Sequence, residues 1–174
     1  MPSKKLALIA LLMAAAPLPA FAADTSCAIR LVSPEFRVDL AKAMTTGDNS
    51  QSDSLSEKLS ALVRTCVQAA GYNEQQGAAY FDAVMSEISR GWLIAELEKA
   101  GLAHSVIDKA LDFGVGRTNP NPQGDLGEEQ IDAIINGFVA AGVDIDKVPQ
   151  QAWEQVGSYV AATGIYWQAI RQLP

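Results

Sequence analysis

An all-α, single-domain bundle of six or seven helices with one disulfide is the architecture this sequence predicts, on three observations. First, apolar residues recur at steps of three and four along most of the chain, and no run alternates with the period of two that a half-buried strand needs. Second, Ala70-Gly71-Tyr72, Ala100-Gly101-Leu102 and Ala141-Gly142-Val143 share the grammar of a helix end. In each, a glycine supplies the left-handed turn and an apolar residue folds back onto the last turn. Third, the two cysteines, Cys27 and Cys66, follow what reads as an export leader. An even pair in an oxidising compartment pairs more often than not. The bridge closes a loop of roughly 40 residues, which the chain-entropy model credits with about 4 kcal/mol.

The leader spans residues 1–22. Lys4 and Lys5 give a positive start, Leu6–Ala16 is unbroken apolar sequence, Pro17 and Pro19 interrupt it, and Ala20-Phe21-Ala22 offers small residues before a cut between Ala22 and Ala23. The run is too short to span a bilayer, and no later stretch reaches the roughly 18 apolar residues a spanning helix needs. Cleavage leaves residues 23–174 as one helical domain. It removes two lysines and no acid, taking the net charge from −7 to −9. With 49% hydrophobic and 19% charged residues, the chain has apolar surface enough to fold. Its acidity disfavours nucleic acid and anionic membrane as partners.

Residues 23–32 form a short lead-in. Ser33 then caps a helix, Pro34 suits its first turn and Glu35 faces the positive end of its dipole; Phe36, Leu40, Ala43 and Met44 form its apolar stripe. Residues 46–53 read as a polar loop. Ser54 and Glu57 make a capping box before a helix that buries Leu55, Leu59, Leu62, Val63 and Cys66. Asn73 and Gln76 repeat the box ahead of a helix carrying Tyr80, Phe81, Val84 and Ile88. A break or kink is expected near Gly91, with Trp92–Ala100 beyond it.

The next helix is expected over Leu102–Val115, with Val106, Ile107, Ala110, Leu111 and Phe113 inward. Residues 116–126 hold two Asn-Pro steps and form the longest irregular stretch, because a residue before proline avoids the helical region. Residues 125–128 offer another cap. Ile131, Ile134, Ile135 and Phe138 mark an inward face. Val148-Pro149 opens the last helix, whose stripe Trp153, Val156, Val160, Thr163, Trp167, Ile170 alternates steps of three and four, as a two-helix seam does. Gly157 and Ala161 would let a neighbour approach closely.

No catalytic or cofactor motif stands out, and no cofactor is expected. His104 is the only histidine; Asp108 lies four residues on, but the adjacent Ser105 points elsewhere on a helix, so a hydrolytic triad is disfavoured. One histidine and a bridged cysteine pair leave too few ligands for zinc, and Asp144-Ile145-Asp146 lacks the spacing of a calcium loop. Glu87 could be a lone acid in a cleft, but glycosidic cleavage wants a second acid at a set distance. Trp92, Trp153, Tyr159, Tyr166 and Trp167 could line a pocket; core packing is the more ordinary role.

A non-enzymatic role is therefore expected. The chain reads as a periplasmic or secreted protein that binds another envelope or secreted protein, as an inhibitor, immunity factor, adaptor or assembly helper. The contact is expected on the proline-stiffened loop, at Arg117, Asn119, Pro120, Asn121, Pro122 and Asp125, which would lose little entropy on docking. Two alternatives are an envelope hydrolase that attacks peptidoglycan through a lone carboxylate and a carrier of an apolar ligand. The enzyme needs convergent acids in a groove, the carrier a large dry cavity, and the binder an exposed aromatic or proline-stiffened patch and no deep cleft.

Overall fold

The computed structural model describes residues 24–46, 49–114 and 126–174. The expected leader and the loop residues Arg117, Asn119, Pro120, Asn121, Pro122 and Asp125 lie outside the described residues. The elements are α1 (Ser26–Leu31), α2 (Pro34–Thr46), α3 (Asn49–Ala70), α4 (Glu74–Lys99), α5 (His104–Ala110), α6 (Glu128–Ala140), a 3-10 turn (Ile145–Lys147) and α7 (Gln150–Ile170). No strand occurs among the described residues, and no helix there is long and apolar enough to cross a membrane.

Local chemistry sets most of these boundaries. Ser33 Oγ accepts from the Phe36 amide at 3.2 Å and opens α2. At α4, Asn73 Oδ1 accepts from the Gln76 amide at 2.9 Å and Gln76 Oε1 from the Asn73 amide at 3.0 Å, a reciprocal cap. Gly71, Gly101 and Gly142 all have positive φ, at 69°, 74° and 85°. After each, the apolar residue donates its amide back across the last turn: Tyr72 to Val67, Leu102 to Leu97 and Val143 to Phe138, at 2.9–3.1 Å.

Three boundaries differ from expectation. α3 begins at Asn49, not at the Ser54 box. Its added turn is polar; a helix anchored by buried Leu59, Val63 and Cys66 propagates backward over such residues at little cost. α4 runs unbroken through Gly91 for 26 residues. Gly91 lies on the exposed side, and its penalty of about 1 kcal/mol is outweighed by the burial of Ile88, Leu93 and Leu97 on either side. α5 stops at Ala110 rather than Val115 because Asp112 turns left-handed, at φ 52°, and Phe113 donates back to Asp108 at 3.0 Å. Aspartate tolerates that conformation better than most residues.

α4 is the spine. Its first half packs with α1, α2 and α3 around Ala28, Leu40, Leu59, Tyr80 and Val84. Its second half packs with α5 and α7, and α6 joins them through α5, around Leu97, Ile107, Phe138, Val156 and Tyr159; the end of α7 reaches back to Ala83 in the first half. Trp92 touches both clusters. The Cys27–Cys66 disulfide is formed, with a Cα–Cα distance of 6.0 Å, and ties α1 to α3.

The inward face of α7 is rotated from the expected seam. Val156, Val160, Thr163 and Ile170 are buried as expected, but Trp153 and Trp167 are only partly buried, at the rim of the core. Tyr159 is fully buried instead, because the contact with α4 and α5 centres on its stripe. Gly157 and Ala161 are exposed, so they bring no helix close; the small buried residues are Ala162, Thr163 and Gly164. Met44 and Ile131, expected inward, are 41% and 44% exposed. α2 is seated through Leu40, Ala41 and Ala43, which leaves Met44 at its edge, where Sδ accepts from Ser89 Oγ at 3.5 Å.

Candidate functional site

Three places concentrate chemistry. The first is internal. Arg90, on α4, donates from Nε to Thr163 Oγ1 at 2.9 Å and from Nη2 to the Tyr159 hydroxyl at 3.4 Å. That hydroxyl donates to Asp108 Oδ1 at 2.8 Å. The guanidinium also lies over the rings of Tyr159 and Tyr166, 5.7 and 4.9 Å from their centroids. Arg90 and Asp108 thus communicate through a phenol. Burial pushes the Tyr159 phenol above its ordinary value; Arg90 opposes that shift and Asp108 adds to it. Burial likewise raises Tyr166, with Glu87 adding to it. His104 sits edge-on to Tyr159 with ring centroids 6.0 Å apart. Asp108 therefore serves the tyrosine rather than pairing with His104. Every group here has a packing or hydrogen-bonding task, and the arrangement is a polar clasp joining α4, α5 and α7.

The second place is an open cleft of about 430 Å³ between α1, α2 and α4. Ile29, Val38, Ile88 and Trp92 give it apolar walls, and Arg37 and Glu87 give it one charge of each sign. Glu87 accepts a hydrogen bond from Thr25 Oγ1. Arg37 donates from Nη2 to the Val32 carbonyl at 3.4 Å, while its Nε is buried without a partner. Glu87 is thus in a cleft, as one alternative required. No second carboxylate lines it among the described residues, so the pair of acids that glycosidic cleavage wants does not form.

The third place is a groove of about 200 Å³ between α6 and α7, lined by Leu126, Ile131, Ile134, Ile135, Trp153, Val156 and Gly157. It is almost wholly apolar and open to solvent. Trp153 meets Phe138 edge-on, with centroids 6.0 Å apart, and presents its remaining face at the rim. The acidic residues next to this lining, Glu128, Glu129 and Asp132 on α6 and Glu154 on α7, are all exposed.

The sequence pointed to Cys27 and Cys66, and the structure joins them. It also pointed to Glu87 and to the aromatic residues, which prove to serve three different places. Arg90 and Arg37 went unnoticed. The signal for Arg90 was a lone cation amid the apolar and small residues of α4; Arg37 carried none, since one basic residue in an exposed-looking turn is ordinary. Among the described residues no group of three His, Cys, Asp or Glu side chains could hold a metal ion. The chain matches no family model, no curated protein and no solved structure.

Proposed function

We propose that this protein is an exported helical binding protein that engages another envelope or secreted protein, as an inhibitor, immunity factor, adaptor or assembly helper. The observation that supports this reading is the apolar groove between α6 and α7, open to solvent and rimmed by Trp153 and the 44%-exposed Ile131. A partly exposed aromatic beside a shallow apolar groove is the anatomy of an anchor site for a partner's side chains. The four flanking acids favour an apolar partner segment bordered by Lys or Arg. The Asn-Pro segment belongs to the same reading. Its last residue, Asp125, precedes Leu126 of the groove wall, so a partner seated there would lie close along the chain to Arg117, Asn119, Pro120, Asn121 and Pro122.

Gly157 gives a clean test. It lines the groove, and a Cβ added there meets nothing within 4 Å. Gly157→Leu should fill the groove while leaving the helix intact or firmer. Matched pull-downs from the envelope fraction with the native protein, with Gly157→Leu and with a Gly/Ser replacement of Asn119–Gln123 separate the contacts. A basic partner that is retained by the native protein and lost with the filled groove supports the proposal. Equal recovery by all three proteins, or no partner at all, counts against it.

A further inference from the structure

We infer that the cleft between α1, α2 and α4 binds a small zwitterion with an apolar body, of the class of a free α-amino acid or a short apolar peptide. The site is distinct from the α6–α7 groove and does not depend on the protein-binding proposal. Three observations meet there. The cleft, at about 430 Å³, falls in the usual range of small-molecule sites. Its wall carries one guanidinium and one carboxylate, and among the described residues neither Arg37 nor Glu87 forms an ion pair. The Arg37 Nε is buried with no hydrogen-bond partner, a costly state for a charged group.

Opposite charges that share a cleft without meeting set up a dipolar slot, whose complement is a ligand with its charges reversed along the same axis. A carboxylate suits the charge of the Arg37 guanidinium, which among the described residues is engaged at Nη2 by the Val32 carbonyl. An ammonium suits Glu87, which among the described residues accepts from Thr25 alone and keeps acceptor capacity to spare. Between them, Ile29, Val38, Ile88 and Trp92 offer apolar surface to the ligand's side chain. The mix of charge and apolar wall disfavours a sugar, which would need several neutral donors and acceptors. It also disfavours a purely apolar ligand, which would leave both charges desolvated and unpaired.

The test is calorimetry, backed by ligand-observed NMR, on the oxidised protein with L-leucine and L-leucyl-L-leucine as probes. These share the two charged ends and differ in the spacing between them, so the better binder separates a free amino acid from a peptide. N-acetyl-leucine and leucinamide each lack one charge. The inference expects at least one zwitterion to bind and each singly capped leucine to bind at least tenfold more weakly than the better of them. Glu87→Gln should abolish discrimination against the N-acetyl form, and Arg37→Gln discrimination against the amide. Gly91→Leu leaves both charges in place and should abolish binding by occupying the cleft, since Gly91 lines it and a Cβ added there meets nothing within 4 Å. Circular dichroism melts confirm that each variant is folded. Absence of binding by both zwitterions at 10 mM, roughly the weak end of the affinity scale, overturns the inference. Binding indifferent to the caps, or unchanged in folded Gly91→Leu, overturns it as well.

Discussion

The two halves of α4 hold their neighbours by different means. Around the first half, α1 is six residues long and α2 and α3 pack through a modest apolar cluster; here a disulfide fastens α1 to α3. Around the second half no covalent tie exists. A larger cluster encloses Tyr159, and the Arg90–Tyr159–Asp108 clasp fixes how α4, α5 and α7 meet. A six-residue helix is far too short to persist alone in water, so it needs a tether. Helices that bury whole faces do not, but an apolar contact tolerates sliding, and a satisfied polar network selects one register. Covalent closure here compensates for small contact area, while buried polarity supplies specificity where area is ample.

The largest effect should come from opening the disulfide. Reduction, or Cys27→Ala with Cys66→Ala, is expected to cost about 2–5 kcal/mol, as for native bridges in small domains. Amide exchange should accelerate across α1 and the facing turns of α3, while α5, α6 and the middle of α7 stay protected. If protection falls equally along the chain, the two regions are one cooperative unit and the contrast between them is only geometric.

Next comes the clasp. Tyr159→Phe keeps the buried ring and deletes the hydroxyl that accepts from Arg90 and donates to Asp108. Hydrogen bonds to charged groups are worth about 1.5–3 kcal/mol, so a loss in that range is expected in denaturant unfolding. Exchange should rise in α5 first, because Asp108 is the α5 member of the network. Gly137→Ala tests the same region without touching polarity. Its new methyl would stand 2.7 Å from Val106 Cγ1, so overpacking should cost about 1–3 kcal/mol. A destabilised Gly137→Ala beside an unaffected Tyr159→Phe would mean that packing alone organises this half.

Alkaline pH probes both halves at once. Burial raises Tyr80 in the first region, and Tyr159 and Tyr166 in the second, above the ordinary phenol value near 10. A raised folded value means that the native state holds its proton more tightly than the unfolded chain. The stability this contributes is complete below about pH 10 and is lost as pH climbs through the folded values. Melting temperature should therefore fall from pH 10 upward, in step with tyrosinate absorbance. Tyr159→Phe and Tyr80→Phe should each flatten that fall, since each removes a phenol that burial holds above its ordinary value. A variant whose alkaline fall is unchanged would mean that its phenol contributes nothing to the loss.

Much of this was readable in advance, and the misses share a cause. Glycine punctuation and the Asn73–Gln76 box act within one turn of helix, and those boundaries were legible. The cysteine pairing followed from the even number of cysteines and the expected export leader. Rotations of a helix about its axis were not legible: the face of α7 depends on what α4 and α5 present to it, so Tyr159 and the two tryptophans exchanged places. Arg90 could not be paired, because its partners lie 69 and 73 residues away along the chain. The early end of α5 hid in Asp112, which does a task that glycine performs elsewhere in the same protein. The cleft arises from three helices meeting, and no local pattern in any one of them announces it.

The smallest effect sharpens the comparison most. Gly91 lies where α4 passes from one cluster to the other, beside Trp92, which touches both. It is helical and exposed, and a methyl added to it meets nothing within 4 Å. Gly91→Ala should therefore stabilise by about 0.5–1 kcal/mol, by removing backbone freedom from the unfolded chain and supporting the helix. If α4 is one rigid spine, the gain must be shared. Amide exchange should slow in α3 as much as in α5, though a Cβ at position 91 meets neither, because both rest on the same helix. A gain confined to the flanking turns of α4 would show instead that the spine is jointed there. Each cluster would then be held by its own device, the disulfide on one side and the clasp on the other, and α4 would join two independently stabilised halves.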